Sequence, residues 1–268
     1  MRQADRLQER RSPPVAPRYR EIADELREAI YRGDYRPGDL LPSGEELSRR
    51  HGISRETASK VHRLLAQEGL ADAVRRGGTR VRINPPRRLI TRDRKAYRDE
   101  IGYFFDTAAQ NWRALGPVRI ARVPAPWDVA PLLGIEPGTE VLIRDRVIGD
   151  PGTGTVHQLT ASYLPLALVA ELPILEATDT GPGGIYDRLE EAGHGPLTWH
   201  EYLTARAASA HETEAFGLRA GVPVQRLIRT STDPGGLVCE VNAISLPADR
   251  VEIGYRIERD TTAIHAGP

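Results

Sequence analysis

The chain has 268 residues, 40% of them hydrophobic and 28% charged, with 37 basic and 37 acidic side chains. That length accommodates two domains. No apolar run reaches the roughly 20 residues that span a bilayer, the polar, basic N-terminus lacks the apolar stretch of a secretory leader, and a single cysteine, Cys239, excludes an internal disulfide framework and suits the cytoplasm. The zero net charge conceals a split: residues 1–95 hold 23 basic and 14 acidic side chains, the remainder 14 and 23. Such segregation points the basic part towards nucleic acid.

Residues 1–17, which close on the Pro-rich "RRSPPVAPR", read as a disordered basic arm. From Tyr19, Ile22, Leu26, Ala29 and Ile30 recur on one helical face until Gly33. "YRPGDLLP" then reads as turn chemistry. Ser43 with Glu46 forms a capping box for a second helix that runs to about His51 and stops at Gly52. Ser54 caps a third helix, with Ala58, Val61, Leu64 and Leu65 facing inward and Gly69 beyond its end. "LADAVRRGGTRVRI" predicts two short strands around a Gly-Gly turn, so residues 18–83 read as a winged helix-turn-helix. "NPPRRLITRDRK" follows, and residues 84–96 are assigned as a linker.

Residues 97–260 alternate strand-like and helical segments and contain an internal repeat, leaving 261–268 as a tail. "LGIEPGTEVLIRDRVIGDPG" (Leu133–Gly152) aligns without a gap onto "FGLRAGVPVQRLIRTSTDPG" (Phe216–Gly235), 83 residues later, with Arg146 matching Arg229. After a one-residue gap, Leu164-Pro165 matches Leu246-Pro247. Each copy reads as a helix end, a Gly turn, a strand, an Asp-Pro-Gly hairpin and a second strand. Two such hairpins sharing one antiparallel sheet, with helices on one face, make an α+β domain whose seam is a natural place for a pocket.

In a helix-turn-helix the second helix of the motif enters the major groove by its N-terminal residues. Those are Ser54, Arg55, Thr57, Ser59 and Lys60. Arg55 can grip a guanine edge or a phosphate, and the hydroxyls and Lys60 add phosphate or base contacts. Free N–H groups at the helix starts of Ser43 and Ser54 suit phosphates. Arg75, Arg76, Gly77, Gly78 and Thr79 form the wing tip, where glycine permits close backbone approach and arginine can enter a minor groove. The alternative at this level is a plain trihelical core with a solvated basic hairpin.

"YREIADELREAIYRGDYRPGDLLPS", "HGISRETASKVHRLLAQEGL" and "RRGGTRV" together resemble the DNA-binding domain of GntR-family transcription regulators. "LGIEPGTEVLIRDRVI", "TASYLP" and "VCEVNAISLPADRVEI" look like the UTRA effector-binding domain of the HutC branch, which has a chorismate-lyase-like fold. The resemblance implies a homodimer on a double-stranded DNA operator, a small anionic metabolite as effector, and repression as the usual mode. It also implies an effector site: Arg144 and Arg146 on an anion, Glu240 accepting from ligand hydroxyl or amide groups, Tyr186 beside the ligand, and Gln158 as the repeat partner of Glu240. The period of a strand, which sets alternate side chains on one face, is consistent with Arg144 and Arg146 acting together.

The sequence also departs from the family. Gly44-Glu45 replaces the usual Glu-Arg after Pro42-Ser43, and Ser59 replaces a recognition-helix arginine. Gly184 and Leu246 stand where sugar-phosphate-binding members carry Ser and Tyr, so a carboxylate effector is as compatible as a sugar phosphate.

No catalytic residue, metal or cofactor is expected. The seven histidines show no metal-ligand spacing. "GTGTVHQ" (152–158) lacks the Lys of a phosphate loop, and no catalytic trio is visible. Cys239 is expected as a buried strand residue, and Trp112, Trp127 and Trp199 as core or pocket wall. Two other readings stay open: an architectural DNA-binding protein whose second domain only dimerises, and a chorismate-lyase-like enzyme.

Overall fold

A computed structural model describes residues 17–84, 87–99, 102–105, 112–260 and 262. The basic arm and the tail lie outside these, apart from Pro17 and Thr262. The chain divides into two compact units, residues 1–84 and 85–268.

The first unit is built from α1 (Arg18–Arg32), α2 (Gly44–His51), α3 (Arg55–Gln67), β1 (Ala71–Val74) and β2 (Gly78–Val81). The expected capping box is present: Ser43 Oγ accepts from Glu46 N at 3.2 Å, and Glu46 Oε2 accepts from Ser43 N at 2.7 Å. Gly33 and Gly52 end α1 and α2 in the left-handed conformation, with φ of 84° and 63°. Ile22, Leu26, Leu47, Ala58, Val61 and Leu65 meet in one core with Ala71 and Val81, while Ile30 and Leu64 sit at its margin. Each fully buried aliphatic side chain contributes about 1.5–3 kcal/mol. The stretch read as turn chemistry does more than turn. Leu41 N donates to Thr79 O and Val81 N to Asp39 O, both at 2.9 Å, so residues 39–41 run beside β2 as a third wing strand.

The second unit opens with β3 (Arg88–Arg92), inside the segment assigned as a linker. That assignment is corrected: β3 pairs in parallel with β13 (Val251–Tyr255), from Arg88↔Val251 to Arg92↔Tyr255. Ile90 and Arg92 on β3 are buried, and only a partner distant in sequence makes that possible. A short hairpin follows, β4 (Tyr97–Arg98) with β5 (Tyr103–Phe104), and then β6 (Arg113–Ala114), β7 (Arg119–Pro124) and α4 (Ala130–Leu133). Next come β8 (Glu140–Asp150), β9 (Thr155–Pro165), α5 (Leu166–Glu171) and α6 (Gly184–Leu189). β10 (Thr198–Ala207), α7 (Ala210–Phe216), β11 (Pro223–Thr232) and β12 (Val238–Pro247) precede β13.

The main sheet has the order β10-β11-β12-β9-β8, with β6 and β7 both on the outer edge of β8. The repeat in the sequence is the symmetry of this sheet. Helix, hairpin and hairpin turn recur as α4-β8-β9 and α7-β11-β12, and the copies join through β9 and β12. At that seam Ala161 pairs with Ala243, and the same offset relates Leu164 to Leu246. Each hairpin carries a bulge at the matching place: pairing skips His157 between Ile148 and Gly149, and Cys239 between Ser231 and Thr232. A bulge bends its strand and re-aims the residue beside it. Those residues are Gln158 and Glu240.

Helices were expected on one face of this sheet, and they cover both. Val141 packs with α4, while Leu142 and Leu164 pack with Leu168 and Val169 of α5. Val141 to Arg144 are accordingly buried without alternation, as in any strand covered on two sides.

Helix α7 is anchored by Glu212. Its carboxylate accepts from Arg206 at 2.7 and 2.8 Å and from Ser209 N at 2.8 Å. Burial alone would raise this carboxyl, but Arg206, Ser245 and Ser209 overrule it and hold it down to about 2. A depressed carboxylate contributes stability that is fully present above its ordinary value of 4.5 and is lost as pH falls towards 2. Glu212→Gln is therefore expected to lower the unfolding free energy by about 1.5–3 kcal/mol at neutral pH. Denaturant titrations at descending pH should show the gap from wild type closing in acid. A gap that persists there would mean that packing, not charge, makes the anchor.

Candidate functional site

Two sites emerge, one on each unit. On the first, α3 buries Ala58, Val61 and Leu65 and turns Arg55, Ser59 and Lys60 to solvent. Arg55 has no hydrogen-bond or carboxylate partner among the described residues. Ser54 and Thr57 are engaged with each other: Ser54 Oγ accepts from Thr57 N at 3.1 Å and lies 2.9 Å from Thr57 Oγ1. Lys60 pairs with Glu56 at 2.9 Å. Ser43 Oγ is likewise committed to its capping box. At the wing tip Arg75 and Arg76 are exposed, and Arg76 adopts a left-handed φ of 59°. Gly77 and Gly78 sit beside them, where a Cβ on Gly77 would lie 2.9 Å from Val74 Cγ1. Arg80, two strand positions from the tip, is tied back to Gly38 O at 2.9 Å. Glu45 is exposed on α2.

On the second unit, a cavity of about 300 Å3 lies on the α5 and α6 side of the sheet. Arg146, Gln158, Tyr186 and Glu240, four of the five residues singled out for an effector, line it together. Glu240 is fully buried. Its Oε2 accepts from Tyr186 Oη at 2.6 Å and from Ser231 Oγ at 3.0 Å, whereas Oε1 has no hydrogen-bond partner among the described residues. Burial, with Glu240 beside it, pushes the Tyr186 phenol above its ordinary value and keeps it a donor. Among the described residues Arg146 makes a single bond, to Ser162 Oγ at 3.2 Å, and its buried Nε has no acceptor. No carboxylate neutralises Arg146 among the described residues. Tyr103, Phe105, Tyr186 and Trp199 pack with ring centroids 5.3–6.4 Å apart, the first three on the cavity wall and Trp199 behind them.

The fifth residue, Arg144, shares the strand face of Arg146 but not its surroundings. It is 3% exposed and absent from the cavity lining, and its Nη1 donates to Leu175 O and Ala177 O at 2.5 and 2.6 Å. Desolvation first, then the neighbouring Arg146, pushes its pKa down to about 10. Its role here is to hold the turn Pro173–Glu176 onto the sheet. Neither arginine pairs with Asp145 or Asp150: Asp145 takes Arg119, and Asp150 caps its own turn. Of the two departures from the family pattern, Gly184 lines the cavity with open space at its Cβ position, whereas Leu246 is packed in the core below. Trp112 is buried on the cavity wall, but Trp127, expected in core or wall, is 80% exposed.

Sequence reasoning missed three cavity cations, Arg92, Arg113 and Arg229. Arg229, the repeat partner of Arg146, faces the same cavity, bonded to Glu201 at 2.8 and 2.5 Å and lying 3.4 Å from the Phe105 ring centroid. The repeat already paired it with Arg146, and that pairing was the available signal. Arg92, in the supposed linker, donates to Phe105 O at 2.9 Å and lies 3.5 Å from Glu201.

Residues 18–81 match the family described as bacterial regulatory proteins, gntR family, and residues 118–252 match the UTRA domain. The HTH-type transcriptional regulator SCO4628 of Streptomyces coelicolor is 33% identical over 85% of this chain and 87% of its own. The HTH-type transcriptional repressor NagR of Bacillus subtilis is 23% identical over 91% and 96%. A crystal structure of a GntR-family transcriptional regulator superposes with a TM-score of 0.67 at 27% identity, covering 91% of this chain and 99% of that one.

Proposed function

Because this chain belongs to the GntR family of bacterial regulatory proteins and carries a UTRA domain behind its DNA-binding helices, we propose that it is a cytoplasmic repressor that binds a palindromic operator as a homodimer and releases it when a small anionic effector enters the cavity. That it is a DNA-binding transcription regulator follows from the family. Repression, the dimer and the effector are the added reading. A dimer sets two α3 helices about 34 Å apart, one DNA turn, so the operator repeats its half-site with that spacing. NagR, similar along nearly its whole length, is named a repressor, which favours this mode.

The observation that carries the effector reading is Arg146: a half-buried guanidinium with no carboxylate partner among the described residues, lining a cavity that it shares with the buried Glu240, one of whose oxygens has no hydrogen-bond partner among them. Leaving both groups unsatisfied is costly, and a ligand with an anionic group and a hydroxyl or amide donor satisfies both. A coupling of about 1–3 kcal/mol between the sites is sufficient for regulation.

The test is a mobility shift with DNA upstream of the protein's own gene, at fixed salt, with sugar phosphates and small carboxylates added in turn. A specific complex that one class of anion dissolves is expected. Absence of any specific complex would sink the repressor, and a complex indifferent to every anion would reduce the second unit to a dimerisation module.

A further inference from the structure

We propose that His194, Asp233 and Cys239 form a binding site for a divalent late first-row metal ion, Zn(II) by its ligand chemistry. The site lies outside the effector cavity and does not depend on the proposed effector. One atom from each residue lies within 4.8 Å of the others. Cys239 is fully buried, and the His194 and Asp233 side chains are only 13% and 12% exposed. No local motif announces the set, since His194 and Asp233 are 39 residues apart. The fold assembles it: His194 closes the turn after α6, Asp233 opens the β11–β12 hairpin turn, and Cys239 is the bulge residue of β12.

The hydrogen bonding of His194 is the first argument. Its Nδ1 lies 3.0 Å from Asp233 Oδ2, and its Nε2 lies 3.5 Å from Glu171 Oε1. The second approach is not a hydrogen bond: while Nδ1 serves Asp233, the buried Nε2 has no hydrogen-bond partner among the described residues. With a cation between Nδ1 and Asp233, the ring keeps its proton on Nε2 and donates it to Glu171. Metal-bound histidines are commonly held by a carboxylate in this way.

The internal repeat supplies the second argument. Asp150 is the counterpart of Asp233, and both carboxylate oxygens of Asp150 serve its own turn, through Gly152 N at 2.8 Å and Thr153 Oγ1 at 3.0 Å. Asp233 needs only Oδ1 for that purpose, accepting from Leu237 N at 2.8 Å, and turns Oδ2 to His194. The hairpin therefore does not require the contact.

Ligand type selects the ion. Thiolate with imidazole and carboxylate suits Zn(II) or Co(II), not Mg(II) or Ca(II). Tetrahedral Zn(II), at about 2.0–2.3 Å from each donor, spaces its ligand atoms roughly 3.3–3.8 Å apart, so the His194–Asp233 pair must open slightly from 3.0 Å while the thiolate closes in from within 4.8 Å. A thiolate ligand must shed its proton on binding, so affinity rises with pH. Cys239 immediately precedes Glu240, so a bound ion would brace the strand that carries the cavity carboxylate.

Titration of the full chain with Co(II) tests the site. One equivalent should give a near-ultraviolet thiolate-to-cobalt charge-transfer band that Zn(II) bleaches, and Zn(II) should raise the melting temperature. Cys239→Ser should abolish the band, Glu171→Gln should weaken affinity by about 10- to 100-fold, and Asp150→Asn, at the counterpart turn, should change nothing. Circular dichroism establishes that each variant is folded, and Glu171→Gln, which removes no ligand, decides the matter should Cys239→Ser fail to fold. No charge-transfer band in the wild type, a band that survives in Cys239→Ser, or equal affinity in Glu171→Gln and wild type would each overturn the proposal.

Discussion

Arg146→Ala is expected to abolish the effector response and leave operator affinity within about twofold of wild type. Truncating one member of a buried, hydrogen-bonded charge pair costs about 2–5 kcal/mol, or roughly 30- to several-thousand-fold in effector Kd. Arg146 should fall in the upper half of that range, because no carboxylate among the described residues competes with the ligand for it and its one partner there, Ser162, is neutral. Arg229 cannot substitute while Glu201 holds it. The measurement pairs calorimetry of the effector identified by mobility shift with operator anisotropy of the same preparation.

Arg144→Ala is the instructive companion. Sequence spacing alone makes the two arginines equivalent, but Arg144 holds the carbonyls of Leu175 and Ala177. Its loss should lower the melting temperature and weaken the effector only indirectly, through the turn it secures. Equal effects of the two substitutions on effector binding, with equal melting temperatures, would return Arg144 to the ligand and refute the division of labour.

That division was invisible in the sequence for a physical reason. Alternation along β8 assigns Arg144 and Arg146 to a face, but what covers that face is decided by α5 and the turn after it, more than twenty residues away in sequence. The legible features were those whose cause is local. The Ser43 capping box, the Gly52 stop, the inward face of α3 and the wing glycines depend on residues within one or two turns of each other. The repeat was legible as well, and it carried more information than was drawn from it: the matched pair Arg146 and Arg229 reaches one cavity because β8 and β11 are symmetry mates about the Ala161–Ala243 seam.

The errors share the opposite cause. "RRLITR" reads as a basic linker because nothing nearby buries it; β13, far along the chain, turns it into a strand, and Glu201 accepts the charge of Arg92. Residues 39–41 join the wing only through β2. Trp127 follows composition into the core by expectation, yet it heads the approach to α4 with its ring in solvent. Glu240 and Gln158 owe their aim to bulges that no propensity signals.

Arg55→Ala should produce the reverse phenotype, losing the operator and keeping the effector. Among the residues of α3 nominated for readout, Ser54 and Thr57 spend their hydroxyls on each other and on the helix cap, and Lys60 is partly neutralised by Glu56. Ser59 offers only a short hydroxyl, and Glu45, exposed on α2, repels phosphate. Arg55, exposed at the first turn of α3 and free of intramolecular partners among the described residues, is therefore expected to carry most of the base contact. Loss of one bidentate base contact costs about 1–3 kcal/mol per half-site, so a dimer on two half-sites loses about 2–6 kcal/mol, with discrimination relaxed at the contacted position. Wing substitutions should behave differently. Arg75→Ala or Arg76→Ala is expected to remove a phosphate or minor-groove contact, so affinity should drop for all sequences alike, and the slope of log K against log salt should shrink by about one per contact. Salt-dependent anisotropy on the operator and on single-base variants separates the two patterns. If Arg55→Ala lowers affinity uniformly and leaves base preference intact, the helix serves as a phosphate clamp and sequence reading must come from the wing.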